Sequence, residues 1–200
     1  MSVFVMLYQK FKQLNFIKKM NTTNKLTSIV LVLGTMLFPQ ISYAQKLIQK
    51  SASIKITGTS TLHDWTMSSA QSTFTGNIAG RAITDVKFVL KAESLKSKEK
   101  AMDKNAYKAL QTSKYSDLIF TTASIPIAGT ASITGNLTIS NVTKAIKIPV
   151  TVTKTGETYI IKGIAKIKMS TFGVKAPSFM MGTIKTGDDI SIDININAIN

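Results

Sequence analysis

The sequence predicts a mainly β fold, an antiparallel β-barrel of about eight strands with one short amphipathic helix. Three observations carry that reading. Apolar and polar residues alternate from Ser53 to the last segment, as expected of strands with one dry and one wet face. Turn residues separate the alternating runs at short intervals, so successive strands form an antiparallel meander, and closing it removes its exposed edges. Only Lys98 to Gln111 changes to helical spacing.

The first 44 residues stand apart, with five lysines (Lys10, Lys12, Lys18, Lys19, Lys25) and no acid, followed by the apolar run Leu26 to Phe38. A charged segment leading into an apolar one is an export signal. Pro39 ends the run, and Ser42-Tyr43-Ala44 sets small residues where signal peptidase reads, which predicts cleavage between Ala44 and Gln45. The run is shorter than the roughly 20 residues that span a bilayer. Residues 20–44 form a complete signal alone, so Met20 is the expected initiator and Met1 to Lys19 an over-extended start. The expected organisation is a signal peptide over 1–44 and a barrel domain over 45–200.

The strands follow in order. Short candidates are Ser53 to Gly58, Leu62 to Ser68 and Ser72 to Ile78. Val86, Phe88 and Leu90 then oppose Lys87 and Lys91. After the helix, which sets Met102, Ala106, Ala109 and Leu110 on one face and would close an end or cover a side of the barrel, come Leu118 to Ser124 and the run Ala131, Ile133, Leu137 and Ile139. Ile146, Ile148, Val150 and Val152 make the next strand, with Pro149 as a local objection because it donates nothing to a ladder. Tyr159, Ile161, Ala165 and Ile167 oppose Lys162, Lys166 and Lys168, and Ile190 to Ala198 alternates cleanly.

Composition narrows the function. The chain has no cysteine, one histidine, 25 Lys+Arg and 10 Asp+Glu, so thiolate chemistry is excluded and a metal cluster or catalytic triad is hard to build. Losing the leader's five lysines from those 25 leaves a net charge of about +10 on residues 45–200. Arg81 is the sole arginine, which suits a diffuse electrostatic surface better than base reading, and no nucleic-acid partner is expected. An anionic membrane is the expected peripheral contact. The lysines on the outward parity of the strands argue against a lipid-embedded barrel, where each would cost up to about 2–4 kcal/mol near the midplane.

A barrel of this size is filled by its own side chains or holds one slender ligand. Medium and small inward residues, with Gly58, Gly135 and Gly163 among them, favour an apolar tunnel. The large wall candidates are Trp65, Phe74, Phe88, Leu90, Phe120, Phe172 and Met180. His63 shares the parity of Trp65 and Met67, which turns it toward the interior near the polar end of the tunnel, where its partner is a backbone carbonyl, a neighbouring hydroxyl or a ligand headgroup. Adjacent strand residues point to opposite faces, so His63 and Asp64 make a poor catalytic dyad, and no enzyme activity, cofactor or metal is expected. The rival reading is a filled barrel whose basic face binds an acidic partner or polysaccharide.

Several blocks together resemble the YceI-like family: Gly58 to Trp65, Phe74-Thr75-Gly76, Val86 to Leu95, Met102 to Leu110 with Lys114-Tyr115 and Ile119-Phe120, Ile133 to Ile139 running into Val142-Thr143-Lys144, Met169 to Val174, and the strand after Gly187-Asp188. The resemblance covers almost all of 50–199. It implies a lipocalin-like barrel in the periplasm, binding an isoprenoid or other amphiphilic lipid in its apolar interior without covalent chemistry. Strand edges and the exposed helix allow a dimer without requiring one, so monomer and dimer both stay open. Two segments depart from the family's commoner pattern, Leu62-His63-Asp64-Trp65 near the first strands and Lys104-Asn105 in the helix.

Overall fold

The computed structural model describes residues 45–179 and 183–200. Its strands are β1 (Gln45–Ser60), β2 (Trp65–Ser69), β3 (Ser72–Ala79), β4 (Ala82–Lys91), β5 (Asp117–Pro126), β6 (Gly129–Ile139), β7 (Val142–Thr155), β8 (Thr158–Lys168), β9 (Ser178–Phe179) and β10 (Ile184–Ile199). The helix α1 (Lys100–Leu110) lies between β4 and β5, and 3₁₀ turns form at Ala92–Ser94 and Met169–Phe172.

Eight strands make the wall, in the hydrogen-bonded order β1-β3-β4-β5-β6-β7-β8-β10, and β10 returns to pair with β1 along most of its length. All pairings are antiparallel. The strand β2 does not add a ninth stave. It pairs with β1 from Ile54↔Ser69 to Gly58↔Trp65, in the same register that β3 continues from Ile48↔Thr75. Thus β2 and β3 are two halves of one long strand, interrupted at Ala70 and Gln71.

Local chemistry sets the boundaries. The Ser140-Asn141 connection between β6 and β7 has positive φ at both residues, 47° and 65°, the two-residue turn whose twist matches a hairpin. The first strand begins at Gln45, eight residues before the alternation becomes regular, because its adjacent Leu47 and Ile48 and a register shift between Gln49 and Ser51 break the pattern. The second begins at Trp65 rather than Leu62, because the Ser60 hydroxyl accepts hydrogen bonds from the Leu62 and His63 amides and folds residues 60–63 into a turn. Alternation does not foreshadow the two residues of β9, which pair with Ile184 and Lys185.

Pro149 marks a seam. It sits opposite Ser132 of β6, but the β7–β8 ladder runs only from Thr155↔Thr158 to Val150↔Gly163. Beyond it β7 and β8 part, and the 3₁₀ turn brings Phe172 and Val174, 1% and 5% exposed, against Leu137 and Ile139, with Val142, Ile146 and Ile167 around them. An apolar plug thus closes the opening that the proline begins.

Candidate functional site

The interior is unequal along its axis. At the end formed by the start of β1, β4, β6 and β8 and the finish of β3, β5, β7 and β10, the bore is filled. Leu47, Ile83, Ile125, Val152, Tyr159, Ile196 and Ala198 are all buried there, and Tyr159, at 1% exposure, is among the largest enclosed side chains. The expected continuous tunnel is therefore a blind chamber.

The opposite half is open. A cavity of about 370 Å³ lies between the barrel and α1, within the roughly 300–1,000 Å³ of small-molecule sites. Its walls are Ile56, Met67, Leu118, Ile139, Ile190 and Ile192 from the strands, Met102, Ala106, Ala109 and Leu110 from the helix, and Met169 and Val174 from the plug. Polar groups are few: Ser60, His63, Glu99, Asn105 and Thr186. A second pocket of about 50 Å³ shares Ile56, Leu118, Ile139 and Ile192 with the first, so the two follow one another down the bore.

The structure sorts the sequence candidates by depth. His63 and Trp65 line the upper chamber, while Phe88, Leu90 and Phe120 line the lower one. Phe74 pairs with Phe88, which pairs with Phe120, a row of rings across three adjacent strands. Phe74 is 2% exposed and lines neither chamber, being enclosed in the core beside Phe88 on the adjacent strand. Phe172 also lines neither, since it fills the β7–β8 seam. Met180 and Ala44 lie outside the described residues, whereas Gln45 opens β1. The helix face, Leu95, Met169 and Val174 complete the wall; the amphipathic spacing of α1 is the signal for the helix face alone.

Two glycines do not add room as their size suggests. A Cβ on Gly58 would lie 2.3 Å from the Trp65 ring, and one on Gly135 would lie 2.3 Å from the Phe120 ring. Each glycine lets an aromatic ring lie flat on its backbone. The Trp65 indole N–H donates to the Thr59 carbonyl at 3.0 Å, which fixes the ring in the wall.

The mouth is a tight turn. The Ser60 hydroxyl donates to the His63 carbonyl at 2.7 Å, and the Thr61 amide donates to the Lys185 carbonyl at 3.0 Å, tying the β1–β2 turn to β10. His63 is exposed at the rim rather than turned into the bore, because it belongs to that turn and not to the strand. Its Nδ1 lies 2.7 Å from the Asp64 main-chain oxygen. A carbonyl only accepts, so Nδ1 carries a proton, and in the neutral ring Nε2 is left as an acceptor. The backbone of Asp64, not its carboxylate, orients the ring.

Polar bonds on the outside hold α1 over the chamber. Burial would raise the Asp103 carboxyl, but hydrogen bonds from the Ser97 hydroxyl and amide, both 2.7 Å, with Lys96 nearby, outweigh it and hold the group below its ordinary value. The Tyr107 hydroxyl donates to the Leu95 carbonyl at 2.7 Å and accepts from Lys96 at 2.7 Å. At the far end the Ser140 hydroxyl donates to the Leu110 carbonyl at 2.8 Å. On the plug, the Ser170 hydroxyl and amide donate to Asp188 at 2.5 and 2.7 Å, and those bonds lower its pKa.

A closed eight-stranded antiparallel barrel with one helix and an apolar blind chamber defines a lipocalin-like class of fold. The chain belongs to the YceI-like domain family, whose model matches residues 49–198. Among solved structures it is similar to Burkholderia cenocepacia BcnA, at 17% identity and TM-score 0.63, covering 73% of this chain and 95% of that one. It is also similar to a polyisoprenoid binding domain from Saccharophagus degradans implicated in plant cell wall breakdown, at 12% identity and TM-score 0.61, with 76% and 97% covered. A third is the Campylobacter jejuni YceI protein, at 18% identity and TM-score 0.53, with 82% and 88% covered. No curated protein matches the sequence.

Proposed function

We propose that this protein binds an isoprenoid or other amphiphilic lipid, its tail in the chamber under α1 and its headgroup at the rim by His63, and acts as a periplasmic carrier or sequestering protein. The apolar chamber carries the proposal, because its long wall and few polar groups match a molecule with a tail and one polar end. Each buried methylene contributes about 0.8 kcal/mol, so a tail supplies most of the affinity and the headgroup the orientation. Membership of the YceI-like family and likeness to a domain named for polyisoprenoid binding support the same reading.

The rim supplies matching chemistry. In the neutral ring the His63 Nε2 accepts a hydrogen bond, and Ser60, Asn105 and Thr186 offer further polar partners. No covalent step is part of the proposal. The lysine-rich leader and the Ala44–Gln45 junction support export to the periplasm, with cleavage there.

Mass spectrometry of protein purified from its exporting host, under denaturing extraction, tests both parts. Stoichiometric lipid released from a chain beginning at Gln45 is the expected result. Repeatedly lipid-free protein would favour the rival reading, a barrel whose basic exterior binds an acidic partner, to which the filled half of the bore lends some support.

A further inference from the structure

The outer face of α1 is not used by the chamber. Lys100, Lys104 and Lys108 recur every four residues and are all exposed. At about 100° per residue they lie half a turn from Met102, Ala106 and Ala109, which face the cavity. Like charges at this spacing work against a helix, and only Lys108, in the last turn, gains from the helix dipole, so local stability does not account for the whole stripe. More cations stand around the mouth. Lys98, Lys175 and Lys185 are exposed and adjoin the lining residues Glu99, Val174, Ile184 and Thr186, set against the acids Asp64, Glu99, Asp103, Asp117 and Asp189, of which Asp103 is held by Ser97, Asp117 by Lys91 and Asp189 by Lys168.

An apolar group stands among them. Leu62 is 66% exposed, the most exposed of the large hydrophobic side chains among the described residues, and it also lines the chamber. A leucine at the tip of a turn bound to β10 is placed to enter the headgroup layer of a bilayer, while lysines on the same end of the barrel meet anionic phosphates. A soluble polyanion would match the lysines but leave Leu62 in water.

We propose that the Lys100–Lys104–Lys108 stripe of α1, with Leu62 at the lip, is a docking surface for an anionic lipid bilayer that sets the mouth of the chamber against the membrane. The inference rests on the lipid-binding reading only for what passes through the mouth, since docking is measurable with the chamber empty or full. Attraction of about this kind changes partitioning roughly five-fold per lysine in contact and is screened by salt.

Co-sedimentation with vesicles of phosphatidylcholine containing phosphatidylglycerol tests it, with pure phosphatidylcholine vesicles as the uncharged reference. The triple variant Lys100→Glu, Lys104→Glu, Lys108→Glu is compared with Lys147→Glu, Lys162→Glu, Lys166→Glu, which changes the net charge equally on the exposed barrel wall. The expected result is at least a tenfold loss for the helix variant and a markedly smaller loss for the wall variant. A milder Lys→Gln helix triple is expected to fall between, and Leu62→Ser to weaken the binding that remains at high salt. Equal losses in the two charge-reversal variants, or a helix variant that binds as well as the parent, would overturn the proposal. Lipid retained on purification is measured in parallel. Its absence beside normal vesicle binding would count against the chamber reading and leave docking standing.

Discussion

Trp65 is the only tryptophan of the chain and sits in the chamber wall, so its emission reports on occupancy. It lies flat on Gly58, across the β1–β2 pair where the two residues are direct partners. Substituting Gly58→Ala places a methyl group inside the contact distance of the ring, and the indole has the cavity as its free direction. The expected outcome is a shifted emission and weaker binding of a long-chain amphiphile, read by fluorescence titration, with the fold retained. Gly135→Ala is expected to behave differently, because its added Cβ would also lie 2.7 Å from the Thr121 carbonyl, which is backbone. Overpacking of that kind costs about 1–3 kcal/mol, so a lower thermal midpoint is the reading there. The departures from the family's commoner pattern gain a location at this scale. His63 and Trp65 from one, and Asn105 from the other, all line the upper chamber, where a headgroup would be read.

Among the elements, the plug between β8 and β9 has a pH-sensitive fastening. Hydrogen bonds from Ser170 hold the Asp188 carboxyl below its ordinary value, so the folded protein favours the ionised form. Its contribution is fully present above the unfolded pKa of about 3.9 and is lost as pH falls through the lower folded value. Protection of amides 169–174 relative to their intrinsic exchange is expected to fall in that acid window, and Asp188→Asn to show the lowered protection already at neutral pH with little further loss on acidification. Unchanged protection in the variant would mean that Phe172 packing alone holds the segment. Strands of this kind were legible because a barrel wall has one dry and one wet side, which period two records directly. The plug and the cap were harder to place, since a 3₁₀ turn of four residues has no periodicity to read and an amphipathic helix reveals that one face is buried without revealing against what. The sequence shows β2 and β3 as two short runs, Leu62 to Ser68 and Ser72 to Ile78, because their single register on β1 is a property of the pairing and not of either segment.

In the whole molecule, one half of the barrel supports the fold and the other leaves space for a ligand. Layers of Ile, Val and Leu with Tyr159 close the lower end, and their burial allows a chamber above them that contributes nothing to packing. The same arrangement limits the ligand. Affinity is expected to rise with tail length, by about 0.8 kcal/mol per added methylene that is buried, and to level off when the tail reaches the floor. Changing the headgroup should matter less than removing tail length before that point. Ile133 is 9% exposed, lies on the inward parity of β6 below Gly135, and lines neither chamber, so it belongs to the floor. Truncating it, Ile133→Ala, is expected to lower stability by about 2–5 kcal/mol and to move the plateau to longer tails, measured by isothermal titration with a homologous series of isoprenoid alcohols. A series without a plateau would place the tail outside the bore, and a plateau unmoved by the truncation would put the limiting layer elsewhere, at the shared ring of Ile56, Leu118, Ile139 and Ile192 between the two chambers.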